Sequence, residues 1–252
     1  MKETIIIERP FTGVAKVIFN RPESGNAYDH EFVCTLITAL DEVALDKTIK
    51  VLWLTANGQH FSSGPDIRWL TQRQQSGRAE HQLDAENMSR LFQTLYQFTI
   101  PIVASVRGKA NADAIGILCC CDIVLASEKS SFTLSEVHVG LAPVLQSPYL
   151  IKVLGERAAR YYAMTGETMD AYTATRLGLV NKITPEHELD SYADMIIRKI
   201  EKIDTTVLIQ TKAMLTLSSN ELLDESLVET IIASSIDIRT EVLKGSKLAQ
   251  QS

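Results

Sequence analysis

What this sequence lacks removes several classes of function. No block of lysines or arginines interrupts a chain of net charge −6, so neither nucleic acid nor an anionic membrane surface finds an electrostatic footprint. No apolar run reaches the roughly 20 residues that a membrane-crossing helix needs. The opening MKETIIIERP holds only a short apolar stretch, Ile5 to Ile7, too little for a secretory signal, and a cytoplasmic protein is expected. Cysteine is confined to Cys34 and the run Cys119, Cys120 and Cys121. No C-x-x-C pair occurs, and three consecutive cysteines cannot surround an ion tetrahedrally, so they read as small hydrophobes and no metal is expected. G-x-G-x-x-G, the P-loop and G-x-S-x-G are missing, which removes the usual phosphate cradles and the serine nucleophile elbow. No fixed-period repeat and no low-complexity segment is present.

What is there suffices for a core. Hydrophobic residues make up 45% and charged residues 22% of 252, as in a globular chain of one large domain or one domain with an appendix. Ile5–Glu8 and Val14–Asn20 read as a hairpin about Pro10–Gly13. Val33, Leu36, Ile37, Leu40 and Val43 recur at helical spacing, predicting an amphipathic helix over 30–45. Val51 to Leu54 is apolar on both faces, as a strand covered on two sides should be. Residues 71–82, TQRQQSGRAEHQ, are polar without a period and are expected to form an exposed, mobile loop. Met88, Leu91, Phe92 and Leu95 form the next helical stripe, stopped before Pro101.

The stretch from Pro101 to Pro143 organises the rest. A buried strand over Ile102–Val106 should empty into a small-residue turn from Gly108 to Gly116, where backbone N–H groups can approach a ligand. A second strand is expected over Asp122–Ala126. Glu136 then stands as a lone carboxylate among Phe132, Leu134 and Val137, able to move a proton. Helices are expected over 149–154, 158–164 and 170–177, then a strand over 179–183. From Leu189 only helical patterns follow, and Leu223, Leu227, Ile231, Ile232 and Val242 mark a long terminal helix apolar enough to suggest a subunit contact. Strands alternating with helices and then helices alone make this α/β with a helical tail.

Six segments in order carry a resemblance: NRPESGNAY at 20–28, GQHFSSGPDI at 58–67, PIVASVRGKANADAIG at 101–116, CDIVLAS at 121–127, SSFTLSEVHVGLAP at 130–143 and TGETMDAYTATRLGLVNKI at 165–183. Together they resemble the crotonase (enoyl-CoA hydratase/isomerase) superfamily along nearly the whole chain. VRGKANA, FTLSE and the end of the glycine motif look most like a polyketide β-branching group that dehydrates 3-hydroxy-3-methylglutaryl carried on an acyl carrier protein. The resemblance implies a ββα spiral over 1–190, and a helical oligomerisation segment over 191–252 that builds homotrimers or hexamers. It implies an acyl thioester on the phosphopantetheine of coenzyme A or a carrier protein, and neither metal nor redox cofactor.

The same resemblance assigns roles. Two backbone N–H groups of such proteins grip the thioester oxygen. The first falls on Pro65, which has no N–H. Gly64 or Asp66 could donate instead, a Ser62 or Ser63 hydroxyl could replace it, or the hole is weak. The second falls on Asp113, whose carboxylate would stand near a developing enolate. That side chain could point away, be protonated, act as a second acid or base, or only hydrogen-bond within its turn. Of the two glutamates of the hydratases, the first falls on Gly116 and is absent; the second falls on Glu136. Lys109, Asn111 and His138 could hold a distal carboxylate, with a solvated loop charge and a hydrogen-bonded histidine as the plainer readings of Lys109 and His138. Three functions follow: the carrier-protein dehydratase, a coenzyme A-linked hydratase or isomerase, and a catalytically impaired binding protein on the same fold.

Overall fold

The computed structural model describes residues 3–220, 228–230, 232 and 233. The long terminal helix expected around Leu223, Leu227, Ile231 and Val242 lies outside them; of its marker residues only Ile232 is described, and it is helical.

The hairpin forms as its sequence implies, with β1 (Ile5–Glu8) antiparallel to β2 (Val14–Phe19). Helix α1 (His30–Leu45) starts where Asp29 accepts from the Phe32 N–H at 2.8 Å, an N-cap that satisfies one of the orphan donors of a first turn. Strand β3 (Val51–Ala56) is buried at every residue. Next come α2 (Ile67–Arg73), capped by Asp66, and α3 (Arg78–Tyr96). Strands β4 (Ile102–Val106) and β5 (Lys109–Asn111) lead to α4 (Asp113–Cys119). The chain continues through β6 (Ile123–Ser127), β7 (Ser131–Thr133), a 3-10 turn over Ser135–Val139, α5 (Ser147–Leu154) and α6 (Glu156–Thr165). It closes with β8 (Thr168–Asp170), α7 (Ala171–Arg176), β9 (Lys182–Thr184), α8 (Leu189–Glu201) and α9 (Thr205–Asn220).

Six strands form one sheet in the order β1-β2-β3-β4-β6-β9, parallel throughout except for the first pair. Side chains alternate across it. Leu52, Leu54, Ile102 and Ala104 face the main core, packed with Leu36 and Leu40 of α1 and Leu91 and Leu95 of α3. Val51, Trp53, Val103 and Leu125 face the other way, against Leu189, Ala193 and Ile197 of α8. Covering both faces is what a parallel sheet requires and explains the uninterrupted apolar strands. The boundary expected at residue 190 therefore falls inside α8, whose apolar face completes this sheet.

Strands β5, β7 and β8 make a second, small sheet. It left no periodic trace, because three-residue strands carry no legible alternation. The turn expected over Gly108–Gly116 is instead β5 followed by the first turn of α4. Gly108 makes the corner between the sheets: φ is +60°, and a Cβ there would lie 2.0 Å from the Gln59 carbonyl oxygen. The loop expected over 71–82 is also corrected. Only 74–77 separates α2 from α3. These turns are helical without an apolar stripe because they face solvent and are held by polar contacts, Gln82 Nε2 to Glu86 Oε1 at 2.7 Å and Arg73 Nε to Asp84 Oδ2 at 2.6 Å. The last strand lies at 182–184 rather than 179–183. Leu179 and Val180 fill the core from the turn before it, both N–H groups donating to the Ala174 carbonyl.

Candidate active site

Three loops converge beside the core, and one asparagine ties two of them together. Asn26 is fully buried; its Oδ1 accepts from the Arg21 N–H at 2.8 Å, and its Nδ2 donates to the carbonyls of Asn57 and His60 at 2.9 and 2.7 Å. This fixes the 20–28 loop against the FSSGPD turn. Tyr28 and Pro65 then pair as an isolated parallel bridge. The third loop enters at Ala112, fully buried at φ +55° and ψ −131°, a conformation costly for any residue with a Cβ. It swings Asp113 into the first turn of α4.

Two cavities meet at these loops. One of about 450 Å³ is lined by Ser63, Ile67, Arg68 and His138; one of about 300 Å³ is lined by Tyr28, Trp69, Met88, Asp113 and Val144. Pro65, Leu70, Glu136 and Leu141 belong to both and mark the neck between them. A long arm in the first and a short apolar group in the second would put the bond joining them beside Glu136.

Glu136 is 6% exposed. Burial drives its pKa up from 4.5 to about 7, and the Asp113 charge adds to the rise. Its Oε1 accepts from Gln146 Nε2 at 2.5 Å, which works the other way. Its Oε2 is buried without a hydrogen-bond partner among the described residues. Such a group is half ionised near neutrality and can both take and return a proton. Asp113 lies at the cavity wall, where burial raises its pKa and a 2.6 Å hydrogen bond from Tyr28 Oη to Oδ2 opposes the rise. Burial, then the Asp113 charge, hold the Tyr28 phenol well above its ordinary 10.0; the backbone of Asp113 acts against this.

Gly116 stands inside α4, and the space a side chain would need is taken. A Cβ there would lie 2.7 Å from both Cβ and Oε1 of Gln146 and 2.8 Å from Phe92 Cε1. Gln146 is fully buried and its Oε1 has no partner in the protein. Where a second carboxylate would project, an amide fills the volume and points its donor at Glu136.

The other expected residues are placed as follows. The Gly64 N–H donates to Ser62 Oγ at 3.2 Å and the Asp66 N–H to the Tyr28 carbonyl at 2.8 Å. The Ser62 and Ser63 hydroxyls donate to the carbonyls of Asn26 and Ser24 at 2.8 and 3.1 Å. The turn thus spends the donors that could have stood in for Pro65 on holding its own shape. Lys109 is exposed and Asn111 hydrogen-bonds the Ser63 carbonyl at 3.4 Å; neither lines the two cavities. His138 lines the outer cavity only, where its Nε2 is 3.0 Å from the Gly166 carbonyl, so none of the three lines the inner cavity. Among the described residues, no group of three or more His, Cys, Asp or Glu side chains is placed to hold a metal ion, and no helix is long and apolar enough to cross a membrane. Cys119 and Cys120 lie in the core, where burial pushes their thiols up.

Tyr28, Gln146 and Trp69 are the residues the sequence reading missed. Tyr28 lay in a recognised segment but at an apolar-looking position. Gln146 had only a weak signal, an amide in the turn that starts α5. The Trp69 Nε1 is buried without a partner at the wall of the inner cavity.

Comparison with known proteins agrees with this geometry. A family model described as enoyl-CoA hydratase/isomerase matches residues 10–245. A putative enoyl-CoA hydratase of Thermus thermophilus is 33% identical over 202 residues, 80% of each chain. A trans-2-decenoyl-[acyl-carrier-protein] isomerase of Streptococcus mutans is 29% identical over 192 residues, 75% of this chain and 73% of the relative. The crystal structure of an enoyl-CoA hydratase from Shewanella pealeana superposes with a TM-score of 0.90 at 30% identity, covering 94% of this chain and 88% of that one.

Proposed function

From the premise that the chain belongs to the enoyl-CoA hydratase/isomerase family, we propose that it binds an acyl thioester through a phosphopantetheine arm in the outer cavity and removes the Cα proton with Glu136. The observation that carries this is the buried Glu136 carboxyl at the neck of two cavities, with the space beside Gly116 closed by Gln146. Arg68 at the outer cavity offers a cation to the phosphate of the arm.

The reaction that suits one carboxylate is loss of water from a 3-hydroxyacyl thioester. Glu136 takes the α-proton, and the electron pair becomes the thioester enolate. It returns to form the C2–C3 double bond as the C3–O bond breaks. The departing hydroxide takes the proton back from Glu136, leaving water and the carboxylate restored. The step is redox-neutral and calls for no metal or redox cofactor. No second acid has to activate water, which Gly116 could not do. We propose 3-hydroxy-3-methylglutaryl on an acyl carrier protein as the substrate, in a cytoplasmic homotrimer or hexamer. The resemblance of FTLSE and VRGKANA to the β-branching dehydratases supports the acyl group. The Streptococcus mutans relative, named for a carrier-protein substrate, supports the carrier. A second reading, a double-bond isomerase on coenzyme A or the carrier, is favoured by the same lone acid, which could carry a proton between C2 and C4.

Mass spectrometry of the loaded carrier protein tests the choice. The wild type should remove one water, and Glu136→Gln should leave the substrate intact. Unchanged mass with a shifted double bond in an enoyl-loaded carrier would favour the isomerase. Binding without turnover, unaffected by Glu136→Gln, would leave only a binding protein.

A further inference from the structure

Taking a proton from Cα puts negative charge on the thioester oxygen, and that charge needs donors in place before the step occurs. The FSSGPD turn supplies none, since Pro65 lacks an N–H and the neighbouring N–H and hydroxyl groups are spent within the protein. The Tyr28 phenol donates to the Asp113 side chain at the start of α4, next to the second donor expected, the Asp113 N–H. The phenol thus stands on the wall of the inner cavity together with Pro65, Asp113 and Glu136. It is held there because Tyr28 pairs with Pro65 in a parallel bridge and because Asp113 accepts its hydroxyl at 2.6 Å.

We propose that the Tyr28 hydroxyl is the hydrogen-bond donor to the thioester oxygen, substituting for the N–H that Pro65 lacks, and that Asp113 is the positioning residue that directs its proton. This rests on the removal of the α-proton by Glu136. A phenol has one proton to give. With Asp113 ionised, that proton is held on Oδ2. With Asp113 protonated, the carboxyl donates to Tyr28 Oη and the phenol proton turns to the cavity. Burial favours the protonated form of Asp113 and keeps the phenol from ionising. Glu136, on the 135–139 turn, is the other ionisable group acting on this pair; Asp84 and His81 of α3 line the same cavity. The arrangement makes the donor a side chain fixed by its surroundings, since Tyr28 is buried and its hydroxyl is tied to Asp113.

Two readouts test this with S-cinnamoyl-pantetheine and 3-hydroxybutyryl-pantetheine, which carry the arm common to both carriers. The first is the red shift of the cinnamoyl absorbance on binding, which reports polarisation of the carbonyl without turnover. The second is exchange of the α-proton of the hydroxybutyryl thioester in D2O. Tyr28→Phe keeps the ring and should abolish the red shift and slow exchange by about 10²–10³-fold, the loss typical of one such donor. Trp69→Phe removes the unpartnered indole N–H on the same wall, and the red shift should persist in it. Adding Pro65→Ala to Tyr28→Phe restores a backbone N–H and should recover at least about ten-fold of the exchange rate. A red shift retained in Tyr28→Phe, or lost only in Trp69→Phe, overturns the proposal whatever the rates do. Exchange that survives Glu136→Gln instead overturns the proton-transfer reading itself, and so separates the two failures.

Discussion

The buried carboxyl that makes this site useful should also make the protein less stable, and replacing it should reveal by how much. Glu136 titrates near 4.5 when the chain is unfolded and near 7 when folded, because burial penalises its charged form. Between those values the folded protein holds a proton that the unfolded chain has released. Stability contributed by the neutral carboxyl is therefore fully present below pH 4.5 and is lost as pH rises through 7. The rise of roughly 2.5 pH units, at about 1.4 kcal/mol per unit, comes to about 3 kcal/mol. Glu136→Gln retains a neutral group of the same shape that can still accept from Gln146 Nε2, and it has no charge to bury. Urea unfolding of both proteins from pH 4 to pH 9 should give nearly equal stabilities at the acid end and an advantage of about 3 kcal/mol for the variant at pH 8 and above. Asp113 titrates in both proteins, so its own contribution cancels and the difference reports Glu136 together with its coupling to Asp113. Curves that run parallel across this range would mean that the carboxylate is fully compensated in the native protein, and the argument for a poised acid would fail. The variant should be inactive throughout, so stability and activity would move in opposite directions.

Two further changes act on the same centre. Gln146→Leu removes the hydrogen bond that favours ionised Glu136; a bond to a charged group is worth about 1.5–3 kcal/mol, so the acid limb of the kcat/KM profile should move up by about one to two pH units, with activity regained at alkaline pH. An acid limb that stays near pH 7 would show that Gln146 does not govern Glu136. Ala112→Gly relieves a Cβ from a positive-φ backbone, and chemical denaturation should find it more stable by about 1 kcal/mol; a loss of stability would mean the conformation is not strained.

The long elements were legible because their apolar residues repeat over many positions. Leu36, Leu40 and Val43 announce α1, and Val51 to Leu54 announce a strand buried on both faces. Elements held by polar contacts were not legible, and the first turns of α3 are the example: Arg73 and Asp84 fasten them without any stripe. Strands β5, β7 and β8 were too short to show alternation. At the site, Glu136 stood out because a carboxylate among apolar neighbours is conspicuous in one dimension. Tyr28 did not, since its meaning comes from Asp113, 85 positions away. The absence at Gly116 was visible, but what filled it was not, because Gln146 reaches that space from the start of another helix.

Gly116 and Gln146 are two halves of one fitting, and this constrains how the chain could change its trade. A larger residue at 116 would collide with the amide and with Phe92 while Gln146 remains. A smaller residue at 146 would open a hole beside Gly116 and strip Glu136 of its hydrogen-bonded neighbour. Each single step meets a clash or leaves a hole before the other can repair it, so a carboxylate at 116 would need both positions to change together.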